Sequence, residues 1–331
     1  MLERFFLSIW YTNNPLAYLL LPFSAVFYLI SVARRSAYRY GLKKVMHLDS
    51  PVIVVGNISV GGTGKTPLVV WLADYLKAKG FKPGLIARGY GGKAHHWPQQ
   101  VRPDSDPVTV GDEAILLTSR TGCPMAVGPD RFAAGKALLA NSDCDILISD
   151  DGLQHYRLGR DLEIAVIDGR RRLGNGLLIP AGPLREGQWR LDQVDMVVIN
   201  EGSTFADEQM QMHVRKGSAI SLGREGQKDL NDFAGQTVHA VAGIGHPDRF
   251  FTLLRNHGIT LIEHRFDDHY AFQQKDLVFG DDLPVIMTEK DAVKCQRLVG
   301  DNYWFLQVSA QPDAAFVQKI YEFTEELQHG Q

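Results

Sequence analysis

Residues 52–66 read Val-Ile-Val-Val-Gly-Asn-Ile-Ser-Val-Gly-Gly-Thr-Gly-Lys-Thr, an apolar strand running into a glycine-rich loop that ends Gly64-Lys65-Thr66. No other stretch constrains the fold as tightly, because it fixes a geometry and a ligand together. Successive backbone N–H groups of such a loop curl into an anion cradle. A lysine at its end reaches the outer phosphates of a nucleotide, and the next Ser or Thr hydroxyl ligates Mg²⁺. Residues 68–76 have helical apolar spacing and would aim a positive helix end at the phosphates. Pro67 suits the first turn of that helix. The usual pattern opens with Gly; Ser59 stands there instead, a small residue that can also make the turn. Ser59, Gly61, Gly62, Thr63, Gly64, Lys65 and Thr66 are therefore the candidate nucleotide-binding residues, with Thr66 also a candidate metal ligand.

Alternating strands and helices follow. Strands are expected over 83–87, 144–151, 163–168 and 196–200, helices over 112–120 and 131–140, and a loop over 99–107. Such alternation argues for an α/β fold of the phosphate-loop NTPase type, with a mostly parallel sheet flanked by helices and a ligand at the C-terminal strand ends. The strand over 144–151 ends in Asp150-Asp151. Two such acids could close a solvated turn. After a phosphate loop, carboxylates on an adjacent strand end are more economically read as Mg²⁺ ligands. Arg88, in the Arg-Gly-Tyr-Gly-Gly turn at 88–92, reads equally well as a ligand contact or as plain loop. Arg185-Glu186 closes a rigid Pro-rich loop and could be a surface salt bridge.

The polar stretch 223–235 marks a boundary between a first unit, 37–222, and a second, smaller α/β unit, 223–331. The second unit should carry strands over 238–242, 261–264, 285–288 and 304–308 and a closing helix over 314–327. His269, on a turn after a strand and flanked by carboxylates, is the histidine best placed to be tuned by neighbours.

Charge is distributed unevenly. Residues 1–50 hold six basic and two acidic side chains, which gives +4 and leaves −7 on the rest of a chain whose net charge is −3. Residues 15–33 carry no charge, with Trp10 and Tyr11 before them and Arg34-Arg35 after. A run of 19 residues just reaches the length of a membrane span, and Pro22 would kink it. A basic, apolar N-terminal piece (1–36) on an acidic body points to an anionic membrane surface and not to nucleic acid. Whether the segment spans the bilayer or lies in its interface stays open. Three widely spaced cysteines form neither a metal pattern nor a disulfide framework.

A phosphate loop with Mg²⁺ carboxylates supports hydrolysis or transfer to an acceptor. No Asn-Lys-x-Asp run for guanine is present, which favours ATP. Transfer to an alcohol also needs a group that accepts the hydroxyl proton; Asp112 and Glu113 are nearby candidates in sequence.

With these residues assembled, the chain resembles the tetraacyldisaccharide 4′-kinases of the lipid A pathway. The likeness covers nearly the whole chain: 56–67, Arg88-Gly89-Tyr90-Gly91-Gly92, Gly111-Asp112-Glu113-Ala114, Asp150-Asp151-Gly152-Leu153-Gln154-His155, Pro183-Leu184-Arg185-Glu186, Gly243-Ile244-Gly245, Asp268-His269-Tyr270 and Thr288-Glu289-Lys290-Asp291-Ala292. One conservative departure is His246, where the family carries Asn more often. The resemblance implies ATP-dependent phosphorylation of the 4′-hydroxyl of a tetraacylated glucosamine disaccharide 1-phosphate. It implies a lipid A precursor and inner-membrane lipids as partners, at the cytoplasmic face of the bacterial inner membrane, with no obligate protein partner. It implies Asp112 and His269 as a catalytic pair, Lys65 and Thr66 on the phosphates and Mg²⁺, Asp150 and Asp151 on the metal, and active-site positions for Arg185 and Glu186. The competing reading is a membrane-recruited ATPase switch of the positioning type. Those proteins carry an extra lysine early in the loop, whereas Val60 precedes Gly61 here.

Overall fold

The computed structural model describes every residue except Met1, Asn13, Asp207, Glu208, Arg224, Glu225, 296–299, Asp301, Gly330 and Gln331. In chain order its strands are β1 (Val52–Gly56), β2 (Pro83–Ala87), β3 (Gln99–Val101), β4 (Met125–Val127), β5 (Ile146–Asp150), β6 (Leu162–Asp168) and β7 (Met196–Asn200). They continue with β8 (Met210–Ser221), β9 (Gln227–Lys228), β10 (Thr237–Ala242), β11 (Thr260–Arg265), β12 (Val285–Thr288) and β13 (Tyr303–Pro312). The helices are α1 (Leu2–Trp10), α2 (Leu16–Leu19), α3 (Leu21–Arg39), α4 (Lys65–Ala78), α5 (Pro107–Val110), α6 (Asp112–Thr121), α7 (Arg131–Leu139), α8 (Pro247–Asn256), α9 (Glu289–Cys295) and α10 (Ala314–His329).

All the described strands join one mixed sheet, ordered β11-β10-β12-β13-β8-β7-β6-β1-β5-β2-β4-β3, with β9 on β8. Every residue of β1 is buried, as a Val/Ile strand covered on both faces must be. Its flanking strands β5 and β6 are parallel to it, so the loop after β1 and the acids after β5 emerge at one edge. Antiparallel pairing is confined to β3–β4, β8–β9 and β8–β13.

One apolar cluster packs α4 and α6 on the sheet around β1, and the closing helix joins it through Phe316 and Ile320. A separate cluster gathers Val238, Ala240, Phe251, Leu254, Ile286 and Trp304 around β10 and β12. The long ribbon β8–β13 links the two regions within the sheet.

One expectation is corrected. The stretch 99–107 is not all loop: Gln99–Val101 pairs antiparallel with β4 at the sheet edge. Only Val101 of the three is buried, so so short an edge strand leaves no alternation to read. As the proline led one to expect, the apolar run 15–33 is not one continuous rod. It breaks at Leu20, where Pro22 starts α3 in a position whose N–H needs no partner. Among the described residues no helix is long and apolar enough to cross a membrane. Part of the boundary stretch 223–235, Arg224 and Glu225, lies outside the described residues.

Candidate active site

The loop between β1 and α4 has the geometry its glycines foretell. Gly64 caps α4 with φ of 90°, and a Cβ there would stand 2.1 Å from Asn200 Nδ2. The Asn200 amide donates to the Thr63 carbonyl at 2.9 Å and pins the loop against the end of β7. A Cβ on Gly62, by contrast, would meet no protein atom within 4 Å. Packing does not require that glycine; it leaves bare backbone facing open space, as an anion cradle needs. Ser59 is buried and bridges to Leu184. Lys65 and Thr66 open α4.

Lys65 Nζ lies 3.4 Å from Asp151 Oδ1, and Arg185 Nη1 lies 2.9 Å from Asp151 Oδ2. Asp151 turns with φ of 50°, a left-handed conformation that short acidic residues tolerate. Burial raises its carboxyl pKa, but Lys65 and Arg185 outweigh that and hold it well below the usual carboxylate range. Arg131 reaches the Asp151 carbonyl at 3.3 Å. Glu186, next to Arg185, turns the other way. It is buried, accepts from Gln154 Nε2 at 2.8 Å and from the Tyr156 hydroxyl, and burial pushes its carboxyl up.

Asp150 is the odd member. Its Oδ1 is buried with no hydrogen-bond partner, as is Thr63 Oγ1. Burial pushes its carboxyl up to about 7, with Lys65 pulling the other way. An orphaned, desolvated carboxylate oxygen beside a phosphate cradle fits a divalent cation that would supply the missing charge. Among the described residues no cluster of three or more His, Cys, Asp or Glu could hold a metal alone; phosphate and water oxygens would complete the shell, as Mg²⁺ prefers.

The raised value has a thermal consequence. The folded chain keeps the Asp150 proton to about 7 while the ordinary value is 3.8. Stability from this group is therefore lost as pH rises from about 4 to about 7 and stays lost above. At about 1.36 kcal/mol per unit the cost at pH 8 is of order 4 kcal/mol. Asp150→Asn should raise the melting temperature of the nucleotide-free protein, with a gain that grows from pH 5 to pH 8. A gain independent of pH would contradict this reading.

The second half of the sheet supplies His269, 157 residues from Asp112 yet with Nδ1 2.9 Å from Asp112 Oδ2. Asp112 is the first residue of α6, 4% exposed, and accepts from the Glu113 N–H at 2.8 Å. His269 has φ of 58°, which swings its ring off the turn after β11. Burial pulls the Asp112 carboxyl up, but the His269 bond and the Lys290 charge outweigh it and leave it lowered. The Asp112 bond raises His269, against burial and Lys290.

Lys290, on α9, carried no assigned role in the sequence. Its Nζ is 3.2 Å from Glu113, 3.3 Å from Asp268 and 3.4 Å from His269 Nε2. Burial lowers its pKa, but Glu113, Asp112 and Asp268 together raise it, so the ammonium stays charged. An ammonium can only donate, so the neutral His269 ring keeps its proton on Nδ1, facing Asp112. The adjacent Glu289 pairs with Arg120 at 2.8 Å, both nearly buried, and the two ion pairs tie α9 to α6. Arg171 and His246 were also unforeseen. They touch each other and flank Gly61, whose Cβ would lie 3.7 Å from Arg171 Nη1 and 3.9 Å from His246 Nε2.

Comparison with known proteins gives one consistent result. The family profile described as tetraacyldisaccharide-1-P 4′-kinase matches residues 16–325. A tetraacyldisaccharide 4′-kinase of Nitrosococcus oceani is 52% identical over 320 residues, covering 95% of this chain and 92% of the relative. One of Alkalilimnicola ehrlichii is 52% identical over 304 residues, covering 92% and 91%. The crystal structure of LpxK from Aquifex aeolicus in complex with ATP superposes with a TM-score of 0.80 at 30% identity, over 93% of this chain and 99% of that one.

Proposed function

The chain belongs to the tetraacyldisaccharide-1-P 4′-kinase family, and from that membership we infer that it transfers the γ-phosphate of ATP to the 4′-hydroxyl of a tetraacylated glucosamine disaccharide 1-phosphate. The observation that carries the assignment of roles is the Asp112–His269 contact beside the phosphate loop. It joins a carboxylate from one end of the sheet to an imidazole from the other.

The loop amides of 59–66 and the Lys65 ammonium bind and orient the triphosphate. Asp151, already engaged by Lys65 and Arg185, holds those two cations at the cradle. Thr66 and the unpartnered Asp150 would hold Mg²⁺, with Asp151 beside them. When bound, the ion neutralises charge on the phosphate oxygens. Asp112 takes the proton from the 4′-hydroxyl. His269 Nδ1–H fixes the orientation of that carboxylate, and Lys290 fixes the tautomer of His269. We divide the chain into units 37–222 and 223–331, with closure of the second on the first completing the site; the separate apolar cluster around β10 supports that division. Labelled phosphate from ATP should appear in the disaccharide lipid in detergent micelles. ATP hydrolysis without labelled lipid would refute the assignment.

The acceptor's acyl chains stay in a bilayer, so the enzyme must come to it. Leu19, Phe23, Val26 and Ile30 follow helical spacing along α2 and α3, and all are more than half exposed. The segment is fastened to the body: on α3 Ser24 Oγ donates to the Leu178 carbonyl at 2.7 Å, and at the end of α1 Trp10 Nε1 donates to the Pro180 carbonyl at 2.9 Å. An apolar stripe on a docked helix with basic residues at its end suits the interface plane. We place it at the cytoplasmic face of the bacterial inner membrane. Phe23→Asp with Ile30→Asp should abolish flotation with lipid vesicles and leave the KM for ATP unchanged. Undiminished flotation would contradict the placement.

A further inference from the structure

Beside the basic end of α3 lies a cavity of about 330 Å³, within the usual size range of small-ligand sites. Four arginines line it, Arg35 and Arg39 from α3, Arg160 before β6, and Arg190 from the turn of 3₁₀ helix at Gln188–Gln193. One carboxylate, Glu163, lines it with them. Glu163 is shared: Arg160 Nη1 reaches its Oε1 at 2.7 Å and Arg190 Nη2 reaches the same oxygen at 2.5 Å. Arg190 is 3% exposed, and its buried Nε makes no hydrogen bond but lies 3.9 Å from the Glu186 carboxylate. Among the described residues no carboxylate lies within ion-pair distance of Arg35 or Arg39; Arg35 instead stacks 4.2 Å over the Trp189 ring. Four guanidinium groups around Glu163 and the neighbouring buried Glu186 leave an excess of positive charge, and they repel each other unless a further anion joins them.

The cavity is not where ATP phosphates would sit. It lies beside the N-terminal end of β6, and Leu162 pairs with Ile53, three residues before Gly56. That is about 10 Å of strand from the phosphate loop. A continuous set of side chains links the two places. Arg185 pairs with Asp151 and contacts Gln154, Gln154 donates to Glu186, and Glu186 accepts from Tyr156, which lines the cavity. A two-sugar acceptor that offers its 4′-hydroxyl to Asp112 would run along this wall. The apolar stripe of α3 lies on the same helix, so the basic cavity falls where a headgroup meets its acyl chains.

We propose that this cavity binds the anomeric phosphate of the acceptor, with Arg35 and Arg39 as its accessible donors and Arg160 and Arg190 as its fixed floor. The proposal rests on the reading of the chain as a disaccharide 1-phosphate kinase. A phosphate monoester accepts several charge-assisted bonds at once and suits planar guanidinium groups.

The test compares the disaccharide acceptor with and without its anomeric phosphate, in the same neutral micelles, for the wild-type protein and for Arg35→Ala with Arg39→Ala. The wild-type protein should prefer the phosphorylated acceptor. The double variant should raise the KM for that acceptor about 10- to 100-fold and lose the preference, while an unchanged KM for ATP reports an intact fold. Arg35→Lys with Arg39→Lys should recover part of the preference, since the charge returns without the fork. A double variant that keeps the wild-type preference overturns the proposal, and its arginines then serve only a general attraction to anionic membrane. A wild-type protein that phosphorylates both acceptors equally overturns it too and leaves the kinase reading standing. If neither acceptor is phosphorylated, both readings fall.

Discussion

Asp112→Asn should lower kcat for transfer to the disaccharide by about 10²–10⁴-fold, the usual contribution of a positioned proton acceptor, with a much smaller change in ATP affinity. Asparagine keeps the shape and one carbonyl oxygen that can still accept from the Glu113 N–H, while its amide nitrogen replaces the oxygen that accepts from His269 Nδ1. It cannot take a proton, so the loss isolates base chemistry from packing. The sign of the pH dependence follows from the shifts. Asp112 is held below its ordinary value and therefore remains ionised through neutral pH, so the wild-type acid limb should not reflect its titration near 7. A full loss of ATP binding in Asp112→Asn would instead mean that the residue supports the fold of the cradle. His269→Ala removes the orienting bond and leaves the carboxylate, so its kcat should fall less than that of Asp112→Asn.

Lys65→Ala should be at least as damaging to kcat/KM, with kcat lowered about 10²–10³-fold by loss of one preorganised electrostatic contact and the KM for ATP raised on top of it. The side chain has one observed partner, Asp151 Oδ1 at 3.4 Å, and one proposed partner, the outer phosphates of the nucleotide. Its removal leaves Asp151 to Arg185 alone and takes away the strongest influence holding the Asp150 carboxyl down. Asp150 would then hold its proton to higher pH, and the activity remaining should shift its acid limb upward. Lys65→Arg should rescue poorly, because a compact ammonium and a planar fork do not occupy one cradle in the same way. Equal rates for Lys65→Ala and wild-type protein would remove the phosphate loop from the chemistry.

The local parts of the site were legible because local spacing encodes them. A Val/Ile strand, a glycine loop and a helix in sequence left little freedom, and β1, β2, β7 and β12 lie where alternation and apolar runs place them. β8 was overlooked although it was readable: Met210, Met212 and Val214 alternate with Gln211, His213 and Arg215. β3 and β4 span only three residues each, too short for a period to register. The pairing of Asp112 with His269 was beyond spacing and rested on family resemblance, since 157 residues separate the partners. Lys290 was hidden for a different reason. An exposed-looking lysine in a Glu-Lys-Asp run reads as a solvated helix start, and only the fold brings Glu113 and Asp268 to it. Glu186 shows the reverse: adjacent to Arg185 in sequence, it faces the Gln154–Tyr156 side and not the phosphate cradle.

The most direct measurement is a crystal structure of the protein with an unreactive ATP analogue, Mg²⁺ and the disaccharide lipid. It should place the 4′-oxygen within about 2.6–3.2 Å of an Asp112 carboxylate oxygen, in line with a γ-phosphate held by Lys65. A nucleotide bound elsewhere with Lys65 turned away, or a 4′-oxygen remote from Asp112, would contradict the account.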